Sequence, residues 1–417
     1  MLILKRCLGI FSFLRLIYIY KMALRILSSG SIMKRIWGSI DWVLAVATLP
    51  LFLAGLITMK SLGALSMVSG IGGDYFFSHQ LIWIAIGIVV FFAASLIDWR
   101  FLRNGWILFW LYILGVATLL SLLFFANIFR GTQSWIRLGI FSLEPAEPMK
   151  LILILVLAKY FSRRHVEIKH IKHIFVSGIY ALIPAVLIFL QPDLGSALIF
   201  ASIWLGMILV SGVSKKHLFG VFLTGAVVFL IGWFFLLAPY QKSRLVTFIN
   251  PLRDPRGAGY NALQSKIAVG SGGLWGRGVG YGTQSRLQFL PEYETDFIFA
   301  AFAEEWGFLG VLFLFIFFGA VFWRILKSAR SGQTNFEKLT ALGIIFMLVS
   351  HFAIHIGMNV GLLPVTGITL PFLSYGGSHV LTVLASLGLL EGMRRYGYKS
   401  GHSRMDEELA LADVFNT

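Results

Sequence analysis

A single cysteine, Cys7, is all that 417 residues provide, so an intramolecular disulfide is excluded and nothing in the fold is stapled covalently. Charge is also scarce. Only 13% of residues are Asp, Glu, Lys or Arg, and the 19 acids are outnumbered by 35 Lys and Arg. What fills the chain instead is apolar: 58% hydrophobic residues and a mean hydropathy of +0.82. An ordinary water-soluble globule is thereby excluded. Alternating strands of an outer-membrane barrel are excluded as well, because stretches such as Leu151-Ile152-Leu153-Ile154-Leu155-Val156-Leu157 are apolar without interruption. Helices satisfy every backbone group internally and are the element left to cross a bilayer.

The fold expected is an all-α polytopic membrane protein with about ten spans. The candidates are Trp42–Ile57, Leu81–Ile97, Trp106–Ala126, Pro145–Phe161, Ile174–Leu190, Leu194–Val213, Leu218–Ala238, Phe297–Trp323, Leu339–Leu363 and Phe372–Met393. Each approaches the roughly 17–25 residues that a bilayer core requires. Lys and Arg collect in alternate connections (Arg100 and Arg103; Arg163, Arg164, Lys169 and Lys172; Lys215 and Lys216; Arg324, Lys327, Arg330 and Lys338) and after the last span (Arg394, Arg395, Lys399). Such bias marks the cytoplasmic side, so both termini are expected there. It also accounts for most of the net charge of +16 without nucleic acid. Residues 1–40 form a basic, apolar segment, read either as a surface-lying amphipathic helix or as sequence upstream of a start at Met22 or Met33. Residues 41–395 form the membrane domain, and 396–417 a cytoplasmic tail.

The outward connections hold most of the polar chemistry. Residues 239–296, between the seventh and eighth spans, form a loop far longer than a connector needs. Aromatic and aliphatic residues interleave there with glycines, which argues for a folded extracytoplasmic loop domain. Its basic residues, including Arg244, Lys266 and Arg277, fall where the positive-inside bias disfavours them. Either long loops cross regardless of charge or the cations serve an anionic ligand. Glycines from Gly270 to Gly282 would suit phosphate groups in the same way.

Carboxylates at the membrane edge are the sharper signal. Phe289-Leu290-Pro291-Glu292-Tyr293-Glu294-Thr295-Asp296-Phe297 delivers three acids to the start of an apolar run. Glu144-Pro145-Ala146-Glu147-Pro148-Met149-Lys150 opens a helix with Glu147 and Lys150 three apart on one face, either as helix-start punctuation or facing a polar cavity. Asp193, in Gln191-Pro192-Asp193-Leu194-Gly195, reads first as a helix cap. His351 and His355 stand at i and i+4, where hydrogen bonding is the simpler explanation than metal because no third ligand follows.

These motifs together resemble the RodA/FtsW/SpoVE (SEDS) family. The resemblance rests on Trp135-Ile136-Arg137-Leu138-Gly139, Glu144 to Lys150, Gln191 to Gly195, Gly282-Thr283-Gln284-Ser285 with Phe289 to Phe299, and Leu363 to Gly377, and it covers about Asp41 to Arg395. It implies ten spanning helices and an inverting peptidoglycan glycosyltransferase of the bacterial inner membrane, polymerising lipid II with undecaprenyl pyrophosphate as leaving group. It also implies a class B penicillin-binding protein as partner. Gly282 to Ser285, and Thr366 where division-type members commonly carry lysine, favour the elongation type. Ala146 and Glu144 depart from the serine and glutamine common in the family.

The resemblance places the essential aspartate at Asp296, as general base for the acceptor hydroxyl. Arg244, Lys242, Arg137 and Arg277 would neutralise the pyrophosphate, and Glu147, Lys150 and Asp193 would shape the substrate cavity. A divalent cation, Mg or Mn, could assist, although no ligand spacing specifies a metal site. A lipid II flippase and a partner-recruiting scaffold are the competing classes.

Overall fold

A computed structural model describes residues 40–63, 75–125, 134–138, 141–163, 171–237, 239–254, 257–287, 289–290 and 292–415. The expected N-terminal segment therefore lies almost wholly outside the described residues, and so do the side chains of the expected tail beyond Tyr396. Residues 43–417 make one unit. Its helices are α1 (Trp42–Gly63), α2 (Tyr75–Leu96), α3 (Gly105–Phe125), α4 (Ala146–Ser162), α5 (Ile171–Leu190), α6 (Leu194–Ser211) and α7 (Lys215–Ile231). There follow α8 (Pro239–Ile249), α9 (Ala258–Ser271), the one-turn α10 (Thr283–Arg286), α11 (Ile298–Ser331), α12 (Asn335–Val360) and α13 (Gly377–Phe415).

Among the described residues, eight helices, α1 to α3, α5 to α7, α11 and α12, are long and apolar enough to cross a membrane. The two other expected spans coincide with α4 and the first part of α13. Both are central rather than peripheral: most α4 side chains and most of those at 378–393 are buried. A helix surrounded by protein need not be apolar all round, and α4 accordingly carries Glu147, Lys150 and Lys159. At the other extreme no residue in the apolar window of α7 is fully buried, as for a helix that turns most of its surface to lipid and packs on the core only through residues such as Leu218 and Val221. A small departure from an all-helical chain precedes α4. Strands β1 (Ile136–Leu138) and β2 (Phe141–Leu143) pair antiparallel, Ile136 opposite Leu143.

The glycine-rich part of the loop has a structural purpose that differs from the expected phosphate cradle. Helix α11 breaks at Gly307 (φ 66°, ψ −167°), which frees backbone groups on both sides of the break. The loop takes them up: Arg277 N donates to Glu304 O at 2.9 Å and Gly278 N to Glu305 O at 3.0 Å. In return Phe308 N donates to Gly273 O at 2.9 Å and Leu309 N to Leu274 O at 3.2 Å. Gly276 and Gly307 must lack side chains for the two backbones to approach this closely. The Arg277 and Gly278 N–H groups are thus spent on the helix backbone, and that of Gly280 on the Glu305 carboxylate, rather than on a phosphate. Gly307→Ala places a Cβ against Gly276 N at positive φ. It should cost at least about 2 kcal/mol and expose the loop to limited proteolysis; an unchanged melting temperature and cleavage pattern would count against this account.

Candidate active site

Asp296 lies at the end of a tight turn. The Glu292 carbonyl accepts from Thr295 N (3.2 Å), Asp296 N (3.1 Å) and Phe297 N (3.3 Å). Glu292 itself is held at φ 49°, a left-handed conformation that a non-glycine residue adopts at a cost of about 1–3 kcal/mol. Beyond Phe297 the chain enters α11 with its next five side chains buried. The sequence therefore places a half-buried carboxylate at the rim of an apolar helix.

The turn is clamped from two directions. Asn359, fully buried on α12, donates from Nδ2 to Asp296 O (3.0 Å) and accepts at Oδ1 from Ala300 N (3.2 Å). Its backbone carbonyl accepts from Ser265 Oγ of α9 at 2.8 Å, so one residue joins α9, α11 and α12. On the other flank, Tyr375 N donates to Glu294 O (2.9 Å), and Ser374 Oγ to Thr295 O (2.8 Å). The 361–376 connection is itself anchored to α2, where Gln80 Nε2 donates to Ser374 O and Oε1 accepts from Gly376 N.

Three separated motifs converge on one short stretch of that connection, Thr366–Ile368. The Asp296 carboxylate faces Gly367, which adopts φ 76°. Gly195 of α6 packs so closely on Thr366 O and Ile368 that a Cβ there has no room. His355 Nδ1 donates to Ile368 O at 2.6 Å. Four residues before it on α12, His351 Nδ1 donates to Thr369 O at 3.1 Å. Both histidines therefore serve as backbone anchors, in line with the hydrogen-bonding expectation.

His351 also opens onto a buried ionic cluster. Lys150 Nζ lies 2.7 Å from Glu147 Oε1 and 3.1 Å from His351 Nε2, with only 1% of Lys150 exposed. Glu147 Oε2 accepts from His379 Nδ1 at 2.9 Å. Every charge here has a partner, which burial demands. The expected ion pair forms, yet it is closed to solvent and welds α4 to α12 and α13. Glu147, His351 and His379 also bring three ligand atoms within 4.8 Å of one another. A metal does not fit, because the Lys150 ammonium already engages Glu147 and His351, and a hard cation such as Mg²⁺ prefers an oxygen cage.

Glu144 adjoins this cluster, and its backbone N donates to Ser378 Oγ of α13 at 2.9 Å. Desolvation, reinforced by the Glu147 and Asp193 carboxylates, pushes its carboxyl well above the usual range, Lys150 pulling the other way. The folded state then holds this proton more tightly than the unfolded chain, so stability falls as pH rises from the unfolded value toward the raised one. Glu144→Gln should be at least as stable as the parent at mildly alkaline pH and lose part of the destabilisation expected of the parent as pH rises above the ordinary carboxylate range. Melting curves of the two proteins at acidic and mildly alkaline pH check this; parallel curves would contradict it.

The expected cations distribute unevenly. Arg244, on α8, lines a cleft with Lys266 of α9, Gly361 and Leu363 to Val365, in the segment that runs into Gly367. Lys242 is half-buried two residues away, about 200° around the same helix. Arg277 is exposed, and its Nε donates to Ser271 O at 3.0 Å, away from the cleft. Arg137 sits on β1 opposite Ser142, its side chain outside the described residues. Asp193 caps α6, accepting from Ser196 N at 3.0 Å. Residues that sequence reasoning passed over are Asn359 and His379, which no local pattern separates from neighbouring polar residues, and Lys266, noted among the outward cations but given no role. Glu304 was missed as well: its carboxylate caps α10 through Gln284 N (2.8 Å), Ser285 N (3.1 Å) and Ser285 Oγ (2.8 Å).

Comparisons with known proteins show what this chain is similar to. The FtsW/RodA/SpoVE family, described as "Cell cycle protein", matches residues 41–399. "Stage V sporulation protein E" of Bacillus subtilis (strain 168) is 37% identical over 360 residues, covering 85% of this chain and 97% of that protein. "Peptidoglycan glycosyltransferase MrdB" of Escherichia coli (strain K12) is 37% identical over 343 residues, covering 82% and 92%. A solved structure described as "Structural coordination of polymerization and crosslinking by a peptidoglycan synthase complex" superposes with a TM-score of 0.72 at 27% identity, covering 86% of this chain and 98% of that one.

Proposed function

The chain belongs to the FtsW/RodA/SpoVE family and is a multi-pass membrane peptidoglycan glycosyltransferase, and we propose that it is the elongation-type polymerase of lipid II with Asp296 as general base. The observation that carries this is the half-buried carboxylate held where three motifs meet, beside a cleft that carries two cations. Joining two lipid-linked sugars requires the acceptor hydroxyl to lose its proton as its oxygen bonds the anomeric carbon. The bond from that carbon to the diphosphate oxygen breaks with the electron pair staying on the diphosphate. Asp296 takes the proton, and cations stabilise the departing charge. Glu147 and Lys150 act by holding α4, α12 and α13 in register around the Thr366–Ile368 stretch.

The elongation type is supported by Gly282-Thr283-Gln284-Ser285 and by Thr366, which leaves the Pro364–Gly367 turn without a cation of its own. The two relatives, at equal identity, do not separate the types. We place the protein in the bacterial inner membrane with both ends cytoplasmic. Its partner is a class B penicillin-binding protein, since the chain offers no Ser-x-x-Lys transpeptidase motif in an external domain and aligns with a subunit of a peptidoglycan synthase complex. Purified protein given external lipid II should form glycan strands without any membrane-crossing step. Translocation without polymer would identify a flippase instead. Expression in cells depleted of their elongation-type polymerase should restore rod shape; rescue of division alone would assign the other type.

A further inference from the structure

Helix α11 begins without a cap of its own. Phe297 stands at its N-cap position and makes no side-chain hydrogen bond, so the first N–H groups of the helix need acceptors from elsewhere. Asn359 of α12 supplies one across the helix interface. Its Oδ1 accepts from Ala300 N at 3.2 Å, and Ala300 is the third residue of α11, the one that an N-cap asparagine ordinarily serves from within its own helix.

The nitrogen of the same amide is engaged as well. One Nδ2 hydrogen returns to His355 O at 2.8 Å, four residues back on α12, which fixes the rotamer. The other goes to Asp296 O at 3.0 Å. An amide turned end for end would set a donor against Ala300 N and its oxygen against two carbonyls, so the pattern admits one orientation only. The side chain has no exposed surface, and loss of its bonds would leave buried groups unpaired.

Asp296 is thereby held at both ends of its backbone, N on Glu292 O at 3.1 Å and O on Asn359. With the peptide groups on either side fixed, the direction of its Cα–Cβ bond is fixed too, and the carboxylate faces Gly367. A general base works within about 2.6–3.2 Å of the group whose proton it removes. Misplacement by about 1 Å costs up to about a hundredfold in rate.

We propose that Asn359 is the positioning residue for Asp296, capping α11 from α12 and setting the direction in which the carboxylate meets the acceptor hydroxyl. This rests on the reading of Asp296 as general base. The competing account is a cap that stabilises α11 and does nothing else.

Initial rates against lipid II concentration, expressed per folded molecule, would be measured in reconstituted vesicles for the parent, Asn359→Leu, Asn359→Gln, Tyr112→Phe and Asp296→Asn, with a melting curve for each. Leucine is close to asparagine in size and lacks every polar contact, whereas glutamine carries the same amide on one more methylene. Tyr112→Phe removes an interhelical hydrogen bond, Tyr112 Oη to Tyr180 O at 3.0 Å between α3 and α5, and controls for lost stability. Asn359→Leu should lower kcat about a hundredfold and leave KM within about threefold of the parent. Asn359→Gln should fall between the two in kcat, and Tyr112→Phe should keep the parental kcat. Should Asn359→Leu fail to fold, Asn359→Ser, which retains a single hydroxyl, takes its place. The proposal is overturned if the Asn359 variant keeps a kcat within about threefold of Tyr112→Phe, or if its defect lies in KM alone. Parental synthesis by Asp296→Asn would instead remove the reading of the base, and this proposal with it.

Discussion

Asp296→Asn should abolish glycan polymerisation while leaving the protein folded. The contacts that shape its turn are to the Asp296 backbone: N donates to Glu292 O and O accepts from Asn359 Nδ2. An isosteric amide keeps those bonds and the packing against Gly367. What it removes is the proton-accepting charge, and loss of a general base slows a reaction by about two to four orders of magnitude. Strand synthesis from labelled lipid II in reconstituted vesicles measures the effect, and a melting curve confirms folding. Near-normal chain synthesis by a folded variant would take Asp296 out of the mechanism.

Breaking the Glu147–Lys150 pair should be the most damaging change to stability. Lys150→Met leaves Glu147, 4% exposed, with His379 as its remaining ionisable partner. Removing one member of a buried pair costs about 3–5 kcal/mol, because the other charge stays buried without compensation. The double variant Glu147→Gln with Lys150→Met should recover much of that loss, since two neutral groups of similar shape replace two charges. It should not recover full activity, because the link from α4 to His351 on α12 is gone and His351 holds Thr369 beside the Asp296 turn. Melting temperatures and polymer yields of the three variants decide the matter. A single Lys150→Met protein as stable as the parent would show that the pair contributes nothing.

The legible parts of this protein were those written in local pattern. Apolar runs of bilayer length announced the spans, and α4 begins and ends within a residue of its expected bounds, because prolines and first-turn acids punctuate its start. Asp193 as a helix cap and Glu147–Lys150 as an ion pair were likewise readable, since both depend on residues three apart. The glycine run was misread. Seven glycines among cations suggest an anion cradle, but the Arg277 and Gly278 N–H groups and the Gly273 and Leu274 carbonyls of that loop answer the break at Gly307, some thirty residues further along the chain.

His379 and Asn359 show where local pattern runs out. Neither stands out from neighbouring polar residues, yet one completes a charge cluster with a residue 232 positions away and the other holds the Asp296 turn across 63. Membrane class, span placement and the candidate carboxylate follow from hydropathy, charge bias and motif, all short-range properties of the chain. Which cation shares the cleft with Arg244, and which side chains hold Asp296 in place, follow from how helices distant in sequence pack. Burial leaves each polar group to find its partner in space rather than along the chain, so only the folded bundle could name them.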